Sequence, residues 1–124
     1  VSASLGCAAT KKNQLSDRLD FYRRALQMQD EPSLIGMVLP SKVDEFQKEL
    51  GILDRLHISH AEVRTVNANA EASEALVTFF VEYYSQDASL LQAGNFHMTW
   101  RYDPGSSSWL MDEAHPFGKK LVRK

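Results

Sequence analysis

The 124-residue chain has little of several things that would narrow its chemistry. It has one cysteine, Cys7, which excludes an intrachain disulfide and a cysteine-based metal site. No apolar run approaches the ~20 residues that span a bilayer as a helix. Basic charge is not in surplus: the formal net charge is −2, whereas nucleic-acid binders usually carry an excess that neutralises phosphates. The one basic cluster, Lys119, Lys120, Arg123 and Lys124, reads as a solvated end. There is no glycine-rich phosphate loop, internal repeat or low-complexity tract, and no cofactor is expected. Ser106-Ser107-Ser108 has no His or Asp in a nucleophile arrangement. His57 and His60 stand three apart at a helix-to-strand junction with no carboxylate or Cys at matching spacing, so no metal site is expected. What remains is 44% hydrophobic and 24% charged. That is the composition of one globular domain able to bury a core unaided.

The periodicity changes once along the chain. Leu15, Leu19, Tyr22 and Leu26 fall at i, i+4, i+7 and i+11, with Ala25 widening the stripe. This predicts a helix over residues 12–29, with Asp17, Arg18, Arg23 and Arg24 off the stripe toward solvent. Pro32 suits the first turn of a short second helix carrying Leu34, Ile35, Val38 and Leu39, which Pro40 ends. Ser41 is the expected N-cap of a third helix, in the capping-box-like run Ser41-Lys42-Val43-Asp44. Val43, Phe46, Leu50 and Leu53 form its buried stripe, and Gly51 marks an early end or a close contact.

From His57 the period becomes 2. Four antiparallel strands are predicted: residues 58–66, 75–84, 91–102 and 109–114. Asn67 to Glu71 supply the first turn and Asp103-Pro104-Gly105-Ser106 the last loop, while Gly94 suggests a bulge or bend. The third strand puts Phe96, Met98, Trp100 and Tyr102 on one face, which should meet the helices. The second strand is apolar on both: Val77, Phe79, Val81 and Tyr83 on one side, Leu76, Phe80 and Tyr84 on the other. Such a strand needs cover on both sides. Helices supply one cover. A second copy of the sheet is the simplest other one, so a homodimer through the open sheet face is expected. The alternative cover is the chain's own segment 115–122.

The fold class expected is α+β, with N-terminal helices packed on a curved four-stranded antiparallel sheet. This layout over residues 12–118 resembles the nuclear-transport-factor-2-like (cystatin-like) cone. Trp100-Arg101-Tyr102-Asp103, a Gly-Ser turn and Trp109-Leu110-Met111-Asp112 resemble the last hairpin of small bacterial lipoproteins of that superfamily. The resemblance implies a pocket between helices and sheet, lined here by Trp100, Tyr102, Trp109 and Asp112. It also implies two kinds of member, enzymes (isomerases, dehydratases, cyclases) and non-catalytic binding or association domains; fold alone does not choose between them. Gly6-Cys7 resembles the lipobox of a bacterial lipoprotein, although Ser4 stands where the pattern prefers Leu. The implied address is the bacterial cell envelope, with membrane contact only through a lipid on Cys7; the alternative is a cytoplasmic protein with an ordinary extension over residues 1–11.

The enzymes of that superfamily need an acid or base inside the cone. The carboxylates at strand positions are Glu62, Glu82, Asp112 and Glu113, and pairing with Arg64 or Arg101 is the simpler role for them. His97, Thr99 and Arg101 share one strand face, either as an anion-binding row or as a solvated one. The reading favoured is therefore a non-catalytic domain that dimerises and binds a small apolar ligand or a partner protein. The alternative is an isomerase or dehydratase using Asp112 or Glu82.

Overall fold

A computed structural model describes residues 2–51, 53–85 and 90–120, with side chains from residue 10 to 119 within those segments. Helix α1 (Ser2–Met28) is followed by α2 (Glu31–Ile35), a 3-10 turn (Pro40–Lys42), α3 (Val43–Leu50) and a second 3-10 turn (Leu53–Arg55). Strands β1 (Leu56–Ala68), β2 (Glu74–Ser85), β3 (Leu91–Asp103) and β4 (Ser108–Met111) form an antiparallel sheet in the order β1-β2-β3-β4. The two-residue β5 (Lys119–Lys120) pairs with His97 and Phe96 of β3. The α+β architecture and the order of four antiparallel strands match the sequence expectation, except that β4 ends at Met111 and residues 112–114, expected in it, are not strand.

The α1 stripe is buried as the periodicity requires: Leu15, Leu19, Tyr22, Ala25 and Leu26 are each at most 5% exposed. The helix begins ten residues earlier than Lys12. Ala3, Leu5, Ala8 and Ala9 are strong helix formers, and Gly6 alone does not interrupt them. At the other end Gln29 takes a left-handed φ of 54°. Its side-chain Nε2 donates to the carbonyls of Leu53 (2.6 Å) and Leu56 (3.0 Å), which ties the end of α1 to the start of β1.

Three local expectations are corrected. Ser41 is not an N-cap: it lies inside the Pro40–Lys42 turn, and α3 starts at Val43 with no side-chain cap bond. Val38 and Leu39 are not helical. Val38 forms a parallel bridge with Met111 and the Leu39 amide donates to the Met111 carbonyl at 3.0 Å, so residues 37–39 cover the free edge of β4. Gly94 pairs with Val81 in an unbroken register; the shifts fall in β1, around Ser59 and Arg64. Bulges on an edge strand bend it and spoil it as a template for further pairing. Arg18 also departs from the helix pattern. Its guanidinium reaches the Trp109 carbonyl at 3.0 Å, and burial lowers its pKa.

The register settles which face is inner. Val77, Phe79, Val81, Phe96, Met98 and Trp100 are at most 4% exposed and meet the helices. Leu76, Thr78, Phe80, Glu82 and Tyr84 lie on the other side of the same strands. Each large side chain fully removed from water contributes about 1.5–3 kcal/mol, so the inner face carries most of the fold's stability.

Candidate functional site

Between helices and sheet, aromatic side chains occupy the centre, and a groove of about 700 Å³ stays open between Leu15 and Leu19 of α1 and Val63, Val66 and Ala68 of β1. Tyr22 of α1 meets Trp100 edge to face at 5.3 Å and Phe79 at 6.1 Å. Phe46 of α3 is fully buried with them. Phe117, after β4, inserts against Phe96 (5.2 Å) and Tyr83 (5.7 Å). The Tyr22 hydroxyl donates to the Pro116 carbonyl at 2.7 Å, and burial pushes that phenol well above its ordinary pKa. The Phe117 amide donates to His115 Nδ1 at 3.0 Å. Gly118 has φ +81°, and a Cβ there would lie 2.2 Å from the His97 carbonyl oxygen, so only glycine lets the chain pass this close to β3. Residues 115–118 therefore plug the inner side instead of covering the outer face.

Among the described residues no carboxylate is fully buried. Asp112 faces away from the cone: it accepts from Arg101 Nε at 2.6 Å and lies 3.8 Å from Lys42 Nζ. Arg101 also pairs with Glu74 at 2.7 Å, and these two carboxylates raise its pKa. Glu113 accepts from the Thr99 amide at 3.1 Å. Glu62 pairs with Arg64 at 2.9 Å, and Glu82 sits on the outer face opposite His60. Among the described residues no group of three or more His, Cys, Asp or Glu is placed to hold a metal ion. No helix there is long and apolar enough to cross a membrane.

Of the four residues expected to line a pocket, Trp100, Tyr102 and Trp109 share the inner face of the sheet and Asp112 does not. Trp100 is fully buried against Tyr22, with its Nε1 lacking a hydrogen-bond partner. Tyr102 and Trp109 form a separate edge-to-face pair at 5.7 Å. Lys11 braces that pair: its carbonyl accepts from Trp109 Nε1 at 2.8 Å and its ammonium lies 4.5 Å over the Tyr102 ring. Asp112 is on the opposite side of the sheet. The row His97, Thr99 and Arg101 is engaged by the protein's own groups, His97 Nδ1 with Thr78 Oγ1 at 3.1 Å and Arg101 with its two carboxylates. The Cys7 side chain lies outside the described residues.

The outer face is where polar and apolar groups stand ready for contact. Leu76 is 44% exposed and Leu91 56%. Phe80 and Tyr84 are half-buried, with Arg64 stacked 4.5 Å over the Phe80 ring and His57 at 4.9 Å from Tyr84. Leu91 is the register partner of Tyr84, and Thr99 that of Leu76. On this face Leu76, Phe80 and Tyr84 alternate with Thr78 and Glu82 along β2, and β3 adds Leu91 beside Tyr84 and Asn95 beside Phe80.

Two features escaped the sequence pattern. The plug at residues 115–118 shows only as a single aromatic between Pro116 and Gly118 in a loop. A groove between α1 and the outer edge of β1 depends on Val66, which continues the inner face of β1 past the bulge at Arg64. Periodicity of 2 does not register a bulge until the partner strand is known.

Neither a protein-family model nor any curated protein matches the sequence. Solved structures do match the fold. A ketosteroid isomerase-like protein from Erwinia carotovora aligns over 90% of this chain and 96% of its own, at 14% identity and TM-score 0.63. A candidate dehydratase of the NTF2-like family from Streptomyces avermitilis aligns over 93% and 99%, at 12% identity and TM-score 0.60. A candidate polyketide cyclase from Xanthomonas campestris aligns over 82% and 91%, at 12% identity and TM-score 0.59. The chain has the NTF2-like fold.

Proposed function

We propose that this NTF2-like chain is a non-catalytic association domain that pairs with a second copy of itself through the outer face of its sheet. The observation that carries the reading is the inversion of roles between cone and surface. The centre of the cone is packed with Trp100, Tyr22, Phe79, Phe46 and Phe117, and no carboxylate among the described residues is buried there as the acid or base such enzymes use would be. The outer face carries Leu76, Phe80, Tyr84 and Leu91, interspersed with Thr78 and Glu82, and apolar side chains set among polar ones on an uncovered face are a usual mark of an association surface.

The test is sedimentation velocity over a dilution series of the 14.0 kDa chain. A dimer at high concentration that Phe80→Arg converts to a folded monomer supports the reading. A monomer at every concentration refutes self-association. In the same reading a lipid on Cys7 tethers the domain to the bacterial envelope; the helix-forming residues after Cys7 would then serve as the spacer. Intact mass of the protein extracted from its own cells decides this, since diacylglycerol adds a mass that an unmodified thiol lacks.

The enzymatic reading is favoured by one observation, the names of the isomerase-like, cyclase and dehydratase neighbours. It requires the plug at residues 115–118 to leave and an acid to turn inward. Proton exchange at the α-carbon of a model ketosteroid, lost in Asp112→Asn or Glu82→Gln but not in Phe80→Arg, would establish it.

A further inference from the structure

The outer face of the sheet holds three of the chain's four histidines. The strand register puts them there. His57 is the partner of Tyr84, His60 of Glu82 and His97 of Thr78, and those three partners lie on the side of β2 opposite Phe79 and Val81. Thr78 stands between Leu76 and Phe80, so His97 lies inside the apolar patch and not at its rim. His57 prolongs the patch beside Tyr84 and Leu91. The fourth histidine, His115, belongs to the plug. Histidine is the side chain whose ordinary charge change falls between about pH 5 and about pH 8.

The fixed charges around the three are largely matched. On β1, Glu62 pairs with Arg64 at 2.9 Å. Arg101 of β3 pairs with Glu74 of β2 and with Asp112, which also lies near Lys42. Glu113 accepts from the Thr99 amide at the sheet edge. Against this background the histidines differ. His60 Nε2 lies 3.7 Å from Glu62, and its ring stands opposite Glu82, so its cationic form meets two carboxylates. His57 rests on the Tyr84 ring at 4.9 Å, with Arg55 two residues before it and no ion pair among the described residues. His97 bonds to Thr78 Oγ1 at 3.1 Å and has Lys119 of β5 as its register partner, so its nearest charged neighbour is another cation. A proton on His60 is matched locally; a proton on His57 or His97 is not.

We infer that this face is a pH-dependent contact, on which two copies hold together while His57 and His97 are neutral and separate when acid charges them. The inference rests on the self-association proposed above and names what regulates it. A two-fold contact sets the same patch on both copies, so every unmatched charge occurs twice. Burying an imidazolium that has no carboxylate partner costs far more than burying the neutral ring.

The test is sedimentation velocity over a dilution series at about pH 7.5 and at about pH 5.5, with far-ultraviolet circular dichroism recorded on the same samples. The dimer dissociation constant should rise about ten-fold or more at the lower pH, with the native dichroism retained. The double substitution His57→Gln and His97→Gln should remove most of that response and leave a dimer at both values. His60→Gln should keep the response, and so should His115→Gln, which lies off this face. Equal or tighter association of the unsubstituted chain at the lower pH would overturn the inference and leave the dimer standing. An undiminished response in the double variant, or dissociation that accompanies unfolding, would overturn it as well. A monomer at both pH values refutes the association reading, and this inference with it.

Discussion

The two faces of one sheet, built from alternate residues of the same strands, carry opposite burdens. On β2, Phe79 is fully buried and Phe80, its neighbour, is half-buried under the Arg64 guanidinium. On β3, Trp100 is fully buried while Arg101 beside it holds Glu74 and Asp112 in solvent. Both faces contain aromatic side chains, so composition does not separate them. What separates them is cover: α1, α3 and the plug at residues 115–118 take the inner face, and among the described residues nothing comparable packs on the outer one.

The comparison predicts a graded response to substitution. The largest effect belongs to the inner face: Trp100→Ala should destabilise the fold by about 3–5 kcal/mol through lost burial and a residual cavity, read by chemical denaturation. Next comes the plug. Gly118→Ala places a Cβ 2.2 Å from the His97 carbonyl oxygen at a φ of +81°, which should cost about 1–3 kcal/mol in backbone strain alone. Removal of the buried Tyr22 hydroxyl by Tyr22→Phe leaves the Pro116 carbonyl without its donor and should cost about 0.5–1.5 kcal/mol. On the outer face Phe80→Arg should change the stability of the monomer by only about 0.5 kcal/mol while weakening self-association. A loss of several kcal/mol from Phe80→Arg would break the comparison, because the outer face would then be core.

The smallest effect is a pH dependence. Burial lowers the His115 pKa from its ordinary 6.5, against a weaker upward pull from Glu49. The unfolded chain therefore takes up the proton first as pH falls. The stability contributed by neutral His115 is complete above about pH 6.5, declines below it, and levels off once the folded state titrates. His115→Gln should flatten denaturation midpoints measured across that window. Protonation also removes the acceptor for the Phe117 amide, so the plug is the segment whose amide exchange should accelerate first.

Much of this architecture was legible in the residues. The stripe Leu15, Leu19, Tyr22 and Leu26 marked the buried face of α1, and the alternation from Leu76 to Tyr84 showed a strand apolar on both sides. The inward set of β3 was readable as well, since Phe96, Met98 and Trp100 have no polar neighbour on their face. Which face of β2 is covered was not readable, because Val77–Phe79–Val81 and Leu76–Phe80–Tyr84 are equally apolar; the register with β3 decides it. Whether the aromatic residues fill a cone or line one was equally hidden, since the same side chains serve both. That depended on Phe117, a single residue in a loop whose position is set by Gly118 and the Tyr22 hydroxyl. Asp112 alternates with Met111, and sequence could not say which of the two turns inward; Met111 does.

One measurement tests the division between the faces most directly: paramagnetic attenuation of side-chain signals by a neutral gadolinium chelate, recorded on dilute and on concentrated protein. If the inner face is core and the outer face associates, signals of Phe79, Met98 and Trp100 stay unattenuated at both concentrations. Signals of Leu76, Phe80, Tyr84 and Leu91 are attenuated when dilute and protected when concentrated. Attenuation of Trp100 in the dilute sample, with the outer signals equally exposed at both concentrations, would mean an open cone and an idle surface, and would contradict the account.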